Sequence, residues 1–317
     1  MTQPIQPNME NKISTHPIRK SANTYKGIFL AILAASLWGI SGTFGQYVFQ
    51  QKGINVEWLM SVRMLISGSI LLVYLFIKNP SEALSVWKNK KDTLRLLIFS
   101  ITGMLSVQYT YFATIKLSNA ATATVLQYAG PVLIAVYVSL KRKKIPQPLE
   151  ILAILFAVLG TFLLVTHANL STLAISPEAL IMGIASAFAL AMYTLQPVSL
   201  LEKYSSTAIV GWAMVLGGFA CSFVKAPWNI EGNWDFSTYT SVAFIIIFGT
   251  LIAFYAYLTA VKMIGGQKSS LLATAEPLSA TLIAVLWLQI PFTTMDYIGS
   301  ACIISTIFIL SAGKEKK

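Results

Sequence analysis

Ten stretches of roughly twenty apolar residues follow one another along this chain, approximately 27–49, 56–77, 94–115, 120–140, 149–167, 178–200, 206–226, 239–261, 268–289 and 294–312. A helix needs about 20 such residues to cross a hydrocarbon core of ~30 Å, where only helices or closed barrels satisfy their own backbone. The connections are short and carry chain breakers: Asn79-Pro80, Pro146, Pro148, Ser176-Pro177, Pro227, Gly265-Gly266 and Pro291. Only 11% of the residues are charged, against about 25% in soluble domains. Such a chain cannot clothe itself in polar groups, so we expect an all-α integral membrane protein with ten transmembrane helices.

Residues 1–26 form a polar tail that lacks the apolar core and cleavage site of a secretory signal, and residues 313–317 form a basic one. Counted over alternate connections, nineteen Lys and Arg lie on the side of the two tails. Only Lys52, Lys116 and Lys225 lie on the other side, and Arg63 falls within a span. Positive residues stay inside, so both termini are expected in the cytoplasm of a multi-pass cell-membrane protein. The net charge of +11 sits in these clusters and implies topology and membrane lipid, not nucleic acid. Cys221 and Cys302 each lie in an apolar run, which argues against a disulfide framework. His16 and His167 are too far apart for a multi-His metal site, and there is no phosphate-binding G-x-x-x-x-G-K-[ST] loop. No cofactor and no enzyme activity are expected. His167 reads as an isolated interfacial residue.

Sliding the chain by 146 residues lays 109–164 on 255–310 without a gap. Tyr109, Tyr111, Lys116, Ala129 and Pro131 then fall on Tyr255, Tyr257, Lys262, Ala275 and Pro277. Nearer the start, Met64 and Gly68 meet Met214 and Gly218 at a slightly different offset. The chain divides into 27–167 and 178–312, five spans each. An odd number of spans turns the second unit over, giving two inverted five-helix repeats. Secondary transporters often use this plan, with a midplane site between the halves.

Glu276 lies in the middle of the ninth run. An ionisable group at that depth costs roughly 2.5–3.5 kcal/mol on insertion scales and persists mainly facing a cavity or a partner. It precedes Pro277, whose missing N–H frees the carbonyl of Ala273. A carboxylate beside an opened helix suits a proton or an amine. Arg63, the only base well within a span, must find acceptors for its five donors, from Glu276, a substrate or carbonyls. Helical spacing adds Gln108 with Tyr111, Tyr193 with Gln196, and Gln127 and Tyr128 one turn before Pro131. Tyr255 and Tyr257 lie about 180–200° apart on their helix and cannot both face one cavity. Trp38 is mid-span, away from the interface where Trp is commonest. The candidate site is therefore Glu276, Arg63, Trp38, Gln108, Tyr111, Gln127, Tyr193, Gln196 and Tyr257, with helix breaks at Pro131 and Pro277.

Several short motifs also carry a family resemblance: Ser36-Leu37-Trp38-Gly39, Val62-Arg63-Met64, Gly130-Pro131, Ala275-Glu276-Pro277 and Tyr297-Ile298-Gly299. From about Gly27 to Ala312 the chain resembles the EamA-like permeases of the drug/metabolite transporter superfamily. The resemblance implies a bacterial inner-membrane carrier of small metabolites or drugs, usually an exporter, with a central cavity ringed by both repeats. Many members have a Gly-Glu-Arg-like turn after the fourth and ninth spans. Here those positions read Arg142-Lys143-Lys144 and Leu288-Gln289-Ile290, so proton coupling falls more heavily on Glu276. The expectation is a secondary active transporter with a small-molecule substrate, protons as coupling ion and alternating access. The alternative is an uncoupled facilitator or exchanger of amino acids or nucleotide sugars. A homodimer is left open.

Overall fold

The computed structural model describes residues 16–141, 148–167, 175–266, 269, 272–273, 275–289 and 293–312, and every regular element among them is helical. The turn residues Arg142, Lys143, Lys144 and Ile290, and both chain ends, lie outside the described residues. Helices α1 (His16–Gln50) and α2 (Val56–Lys78) are followed by two short turns, Pro80–Ala83 and Ser85–Lys88. α3 runs Lys90–Leu117, α6 Pro177–Leu201 and α8 Phe236–Ile264. α4 comes in two pieces, Ala120–Gln127 and Gly130–Lys141, and α5 is Pro148–Thr166. α7 (Ser206–Ser222), α9 (Ala275–Leu286) and α10 (Thr294–Ala312) complete the set. Thr24–Gln50 of α1, with α2, α3, α6 and α8, are long and apolar enough to cross a membrane, and α4, α5 and α7 supply shorter apolar helices.

Helix starts are set by short polar side chains. Asn55, Asn119, Ser176, Ser205 and Asp235 each accept a hydrogen bond from the N–H three residues on. On α2, Ile66, Ile70, Val73, Tyr74 and Ile77 form an exposed apolar stripe, while Met60, Met64 and Leu71 are buried. In water that stripe would aggregate, whereas in a bilayer it is the outer wall. α3 and α8 each contain a π-helical segment, Phe99–Leu105 and Ile247–Ile252. There Ser106 Oγ donates to the Ile101 carbonyl (2.8 Å) and Thr250 Oγ1 to the Ile245 carbonyl (2.7 Å), five residues back in both cases.

The tightest crossing is between α2 and α7, which run antiparallel. Leu72 packs on Gly211, Leu65 on Gly218, and Ser61 Oγ donates to the Lys225 carbonyl (3.0 Å). A Cβ on Gly68 would stand 2.8 Å from Val215 N and 2.9 Å from Met214 Cβ, and one on Gly218 3.0 Å from Met64 Cβ. The residues that match in sequence, Met64 with Met214 and Gly68 with Gly218, are thus reciprocal partners in space. α1 runs antiparallel to α8, from Gly27 on Ile264 to Tyr47 on Ser237 (2.8 Å), and parallel to α9. α6 holds the corresponding relations to α3 and α4. α5 and α10 pack chiefly on each other, antiparallel. His167 is not isolated, because its Nε2 lies 2.9 Å from Asp296 Oδ1 and joins the end of α5 to the start of α10.

Ion pairs tie the two ends of the bundle. At one end Lys52, between α1 and α2, meets Asp235 at the start of α8 (2.6 Å), and the Lys52 carbonyl accepts from Asn233 N (2.8 Å). At the other end Lys203, between α6 and α7, meets Asp92 in the first turn of α3 (2.8 Å). Asp92 is buried and also accepts from Tyr204 (3.0 Å) and Arg95 (3.2 Å).

Since the obstacle beside Gly68 is backbone, which cannot rotate away, Gly68→Val should fall at the upper end of overpacking costs, about 3 kcal/mol. Thermal unfolding of the purified protein in detergent should show a clear drop for Gly68→Val and little change for the outward-facing Ile70→Val. An unaltered melting temperature for the glycine variant would exclude this crossing.

Candidate functional site

The helices surround a small cavity whose wall includes Trp38 and Ser41 from α1, Arg63 from α2, Gln108 and Tyr111 from α3, Gln127 from α4, Tyr193 from α6, Phe254 from α8 and Glu276 from α9. A second, smaller space adjoins it, sharing Trp38, Leu190 and Glu276 and adding Tyr128, Ile134, Tyr257 and Ala273. Glu276 stands on the boundary between the two.

The position of Glu276 follows from the local backbone. Pro277 cannot donate to the Ala273 carbonyl, and the Tyr128 hydroxyl on α4 donates to it instead. The same carbonyl accepts from Glu276 N (2.9 Å). Tyr128 OH also lies 3.4 Å from Glu276 Oε2, so one side chain serves both the opened helix and the carboxyl group. On the opposite side α1 approaches without a side chain between. Gly39 lies directly on the Glu276 carbonyl, and a Cβ there would be 2.8 Å from Ala280 N. Ser279 Oγ donates to the Glu276 carbonyl (2.9 Å) and lies within reach of the Ser36 carbonyl (3.3 Å). The Ser36-to-Gly39 motif therefore has a mechanical reading: it lets α1 lie against the break in α9 and present Trp38 to the cavity.

Arg63 is 1% exposed. Its Nε donates to Thr250 Oγ1 (2.7 Å), and Thr250 is itself placed by the π-helical segment of α8. The guanidinium carbon sits 4.5 Å from the centre of the Phe112 ring. No ion pair within 4.0 Å joins Arg63 to Glu276, and Arg63 Nη1 has no partner among the described residues. The same is true of Trp38 Nε1, Ser41 Oγ, Gln108 Oε1 and Tyr193 OH, all on the wall of the larger cavity. Buried polar atoms are ordinarily paired. Five such atoms around one space make it the candidate site.

An aromatic cluster backs the cavity. Trp38 lies 4.9 Å from both Phe254 and Tyr257 and 6.4 Å from Tyr193, and Tyr193 stacks on Tyr257 at 5.9 Å. Of the residues singled out from sequence, Glu276, Arg63, Trp38, Gln108, Tyr111, Gln127 and Tyr193 come together around the larger space, and Tyr257 lines the smaller. Tyr111 is held by Thr124 (2.8 Å) and Gln127 by Ser186 (2.6 Å). Gln196 lines neither space and pairs with Thr102 (3.0 Å). Pro131 and Pro277 fall within helical backbone of α4 and α9, and their side chains lie outside the described residues. Ser41, Thr250 and Phe254 join the site without having been singled out. For Tyr128 the signal was its place three residues before Pro131.

Known proteins are similar to this chain. The family model of the EamA-like transporter family matches residues 25–166 and again 178–312. The chain is 40% identical over 299 residues to the inner membrane transporter YicL of Salmonella typhimurium, covering 93% of this chain and 98% of that one. It is 26% identical over 301 residues to the transporter YetK of Bacillus subtilis, covering 92% and 88%. One crystal structure, 19% identical, superposes with a TM-score of 0.61 over 94% of this chain and 99% of the other, which speaks for the fold alone.

Removing the Tyr128 hydroxyl deletes a buried hydrogen bond to a carbonyl that retains one other donor. Tyr128→Phe should therefore cost about 1 kcal/mol. The melting temperature of purified Tyr128→Phe in detergent is the readout. A value equal to that of the wild type would remove Tyr128 as the support of the α9 break.

Proposed function

The chain belongs to the EamA-like transporter family, and from that premise we propose a proton-coupled secondary carrier that exports a small organic solute by alternating access. Membership, together with the similarity to YicL, makes it a multi-pass transporter of the bacterial inner membrane. Substrate direction, coupling and gating are our reading. The observation that carries it is Glu276, buried between two cavities with a hydroxyl as its side-chain partner. The Tyr128 hydroxyl points a donor toward Oε2 as well as toward the Ala273 carbonyl, and no basic side chain among the described residues pairs with the carboxyl group. A carboxyl group this buried, without a counter-ion and open to a cavity, suits a proton carrier.

In this reading the spans 27–167 and 178–312 are inverted five-helix repeats, with both termini cytoplasmic. The twofold family match, the antiparallel α2–α7 and α5–α10 pairs, the reciprocal Met64, Gly68, Met214 and Gly218 contacts and the paired π segments support it. The Lys and Arg distribution supports the orientation.

The two ion pairs support alternating access. Exchanging the repeats carries the α1–α2 corner onto the α6–α7 corner, and the start of α8 onto the start of α3. Lys52–Asp235 and Lys203–Asp92 are thus counterparts at opposite ends of the bundle. We read them as outer and inner latches over one site, both closed in this structure.

Replacing Glu276 by Gln should remove proton-driven transport at least tenfold. The test takes a solute that stabilises the purified protein in a thermal-shift screen and follows its movement in proteoliposomes under an imposed pH gradient. Transport by Glu276→Gln that still responds to the gradient would remove proton coupling through this residue. Transport by the wild type indifferent to the gradient would favour the facilitator.

The latches are tested with a single cysteine at Ser41 after Cys221 and Cys302 are changed to Ser. Asp235→Asn should raise its labelling by an impermeant thiol reagent from outside, and Lys203→Gln from inside. Equal labelling in both variants would sink the gating role. Lys52 holds the Asp235 carboxyl below the usual carboxylate range, with Ser237 and Thr238 adding to it, and Asp235 raises the Lys52 ammonium. The contribution of the pair is therefore lost only as pH falls through the depressed acid value, below about 3.9, or rises through the raised base value, above about 10.4. Between pH 5 and 9 the outer latch should not titrate, and Asp235→Asn should leave the shape of the transport-versus-pH profile intact.

A further inference from the structure

We infer that residues 223–236, between α7 and α8, form an in-plane anchor seated in the headgroup–acyl boundary of the leaflet on the Lys52 side, the outer leaflet on the orientation proposed above. The anchor needs only a chain that spans a membrane, so coupling and gating do not bear on it.

The segment is firmly held. Trp58 Nε1 on α2 donates to the Pro227 carbonyl (2.8 Å), and Trp234 lies edge-on to Trp58 with ring centres 5.2 Å apart. Asn233 N donates to the Lys52 carbonyl (2.8 Å). Gly232, at φ +91°, passes the same carbonyl so closely that a Cβ would stand 2.6 Å from its oxygen. Even so, Phe223, Val224, Trp228, Ile230 and Phe236 are between 60% and 84% exposed. A fixed segment that leaves five large apolar side chains uncovered calls for an apolar neighbour.

Depth identifies that neighbour as lipid. α7 has 17 residues, which makes about 26 Å of helix against a hydrocarbon core of ~30 Å. The chain therefore leaves α7 before the core ends. Contacts with α2 agree: the Lys225 carbonyl accepts from Ser61, five residues inside that helix, and the Pro227 carbonyl from Trp58, two residues inside. Phe223 and Val224 thus stand about 7 Å below the start of α2, and the segment climbs from there to the Lys52 turn. Phe223 also meets Phe219 edge-on at 5.1 Å, and Phe219 is exposed on α7, so the patch continues the lipid-facing wall without a break.

Charge narrows the chemistry further. The segment carries Lys225, Glu231 and Asp235. Lys225 pairs with Glu231, and Asp235 with Lys52 (2.6 Å). Two bases and two acids cancel, so the patch makes no demand for anionic headgroups. Its hold is apolar insertion, with Trp and Phe at the level where interfaces favour amphipathic and aromatic side chains.

The test uses single spin-labelled cysteines, Phe223→Cys, Trp228→Cys, Ile230→Cys and Glu231→Cys, with Ile70→Cys on the α2 wall as reference. The full chain, with Cys221 and Cys302 changed to Ser, is reconstituted in nanodiscs of zwitterionic lipid. Collision rates with oxygen, which concentrates among acyl chains, and with a water-soluble nickel chelate report depth. Oxygen should dominate at the Ile70 and Phe223 positions, and the nickel chelate at Glu231. Trp228 and Ile230 should lie between, with the oxygen-to-nickel ratio falling about tenfold from Phe223 to Glu231, as an interfacial burial of ~5–10 Å requires. Labels at Trp228 and Ile230 as open to the nickel chelate as the one at Glu231 would overturn the anchor. Spin–spin broadening at Trp228 would overturn it too, since it marks a second copy covering the patch. A depth profile that appears only after anionic lipid is added would overturn apolar insertion as its hold. A label at Ile70 open to the nickel chelate would overturn the membrane reading itself, and the anchor with it.

Discussion

A polar group inside a bilayer has no water to turn to, and much of this structure is the consequence. Where a helix is regular, its backbone needs no help. Where it is not, a nearby hydroxyl takes the spare acceptor: Ser106 and Thr250 at the π segments, Ser279 at the Glu276 carbonyl and Tyr128 at the carbonyl that Pro277 abandons. Against this thorough pairing, the unpartnered atoms of Trp38, Ser41, Arg63, Gln108 and Tyr193 stand out because they share one space. The same chemistry that holds the helices together thus points to the candidate site.

The helix pairings have an order of their own. α2 meets α7 and α5 meets α10, while α1 relates to α8 and α9 as α6 relates to α3 and α4. Small residues make the closest of these crossings possible. Gly68 and Gly218 admit Met214 and Met64, and Gly39 admits the backbone of α9. On the alternating-access reading proposed above, packing that is reciprocal in this way serves two conformations related by exchange of the halves, with equal contacts in both. A carrier needs that balance, since a deep preference for either would trap it.

Much of the site was legible because its residues violate the solvent they sit in. Glu276 and Arg63 are the charges nearest the middle of apolar runs, and both line the cavity. The periodicity argument also held for Tyr255 and Tyr257, of which the first is 40% exposed and the second buried. Other features have no signature in composition or spacing. Thr250 looks like an ordinary polar residue of a span, and its role comes from a change of helical pitch. Gln196 shares the spacing of Tyr193 but stands where α6 is interrupted before Pro197, and Thr102 claims it. The His167–Asp296 contact joins residues 129 apart in the chain, beyond the reach of any local pattern.

The π segments of α3 and α8 also set the angular phase of everything that follows them. Each accommodates an extra residue within a turn, and one residue of α-helix corresponds to about 100° about the axis. Gln108, Tyr111 and Phe112 lie just beyond the first segment, and Phe254 and Tyr257 just beyond the second. Excising a single amino acid from either bulge would hardly shorten the helix. It would swivel the remainder like a key, pointing one set of aromatic rings at lipid tails and bringing aliphatic side chains to face Glu276 in their place.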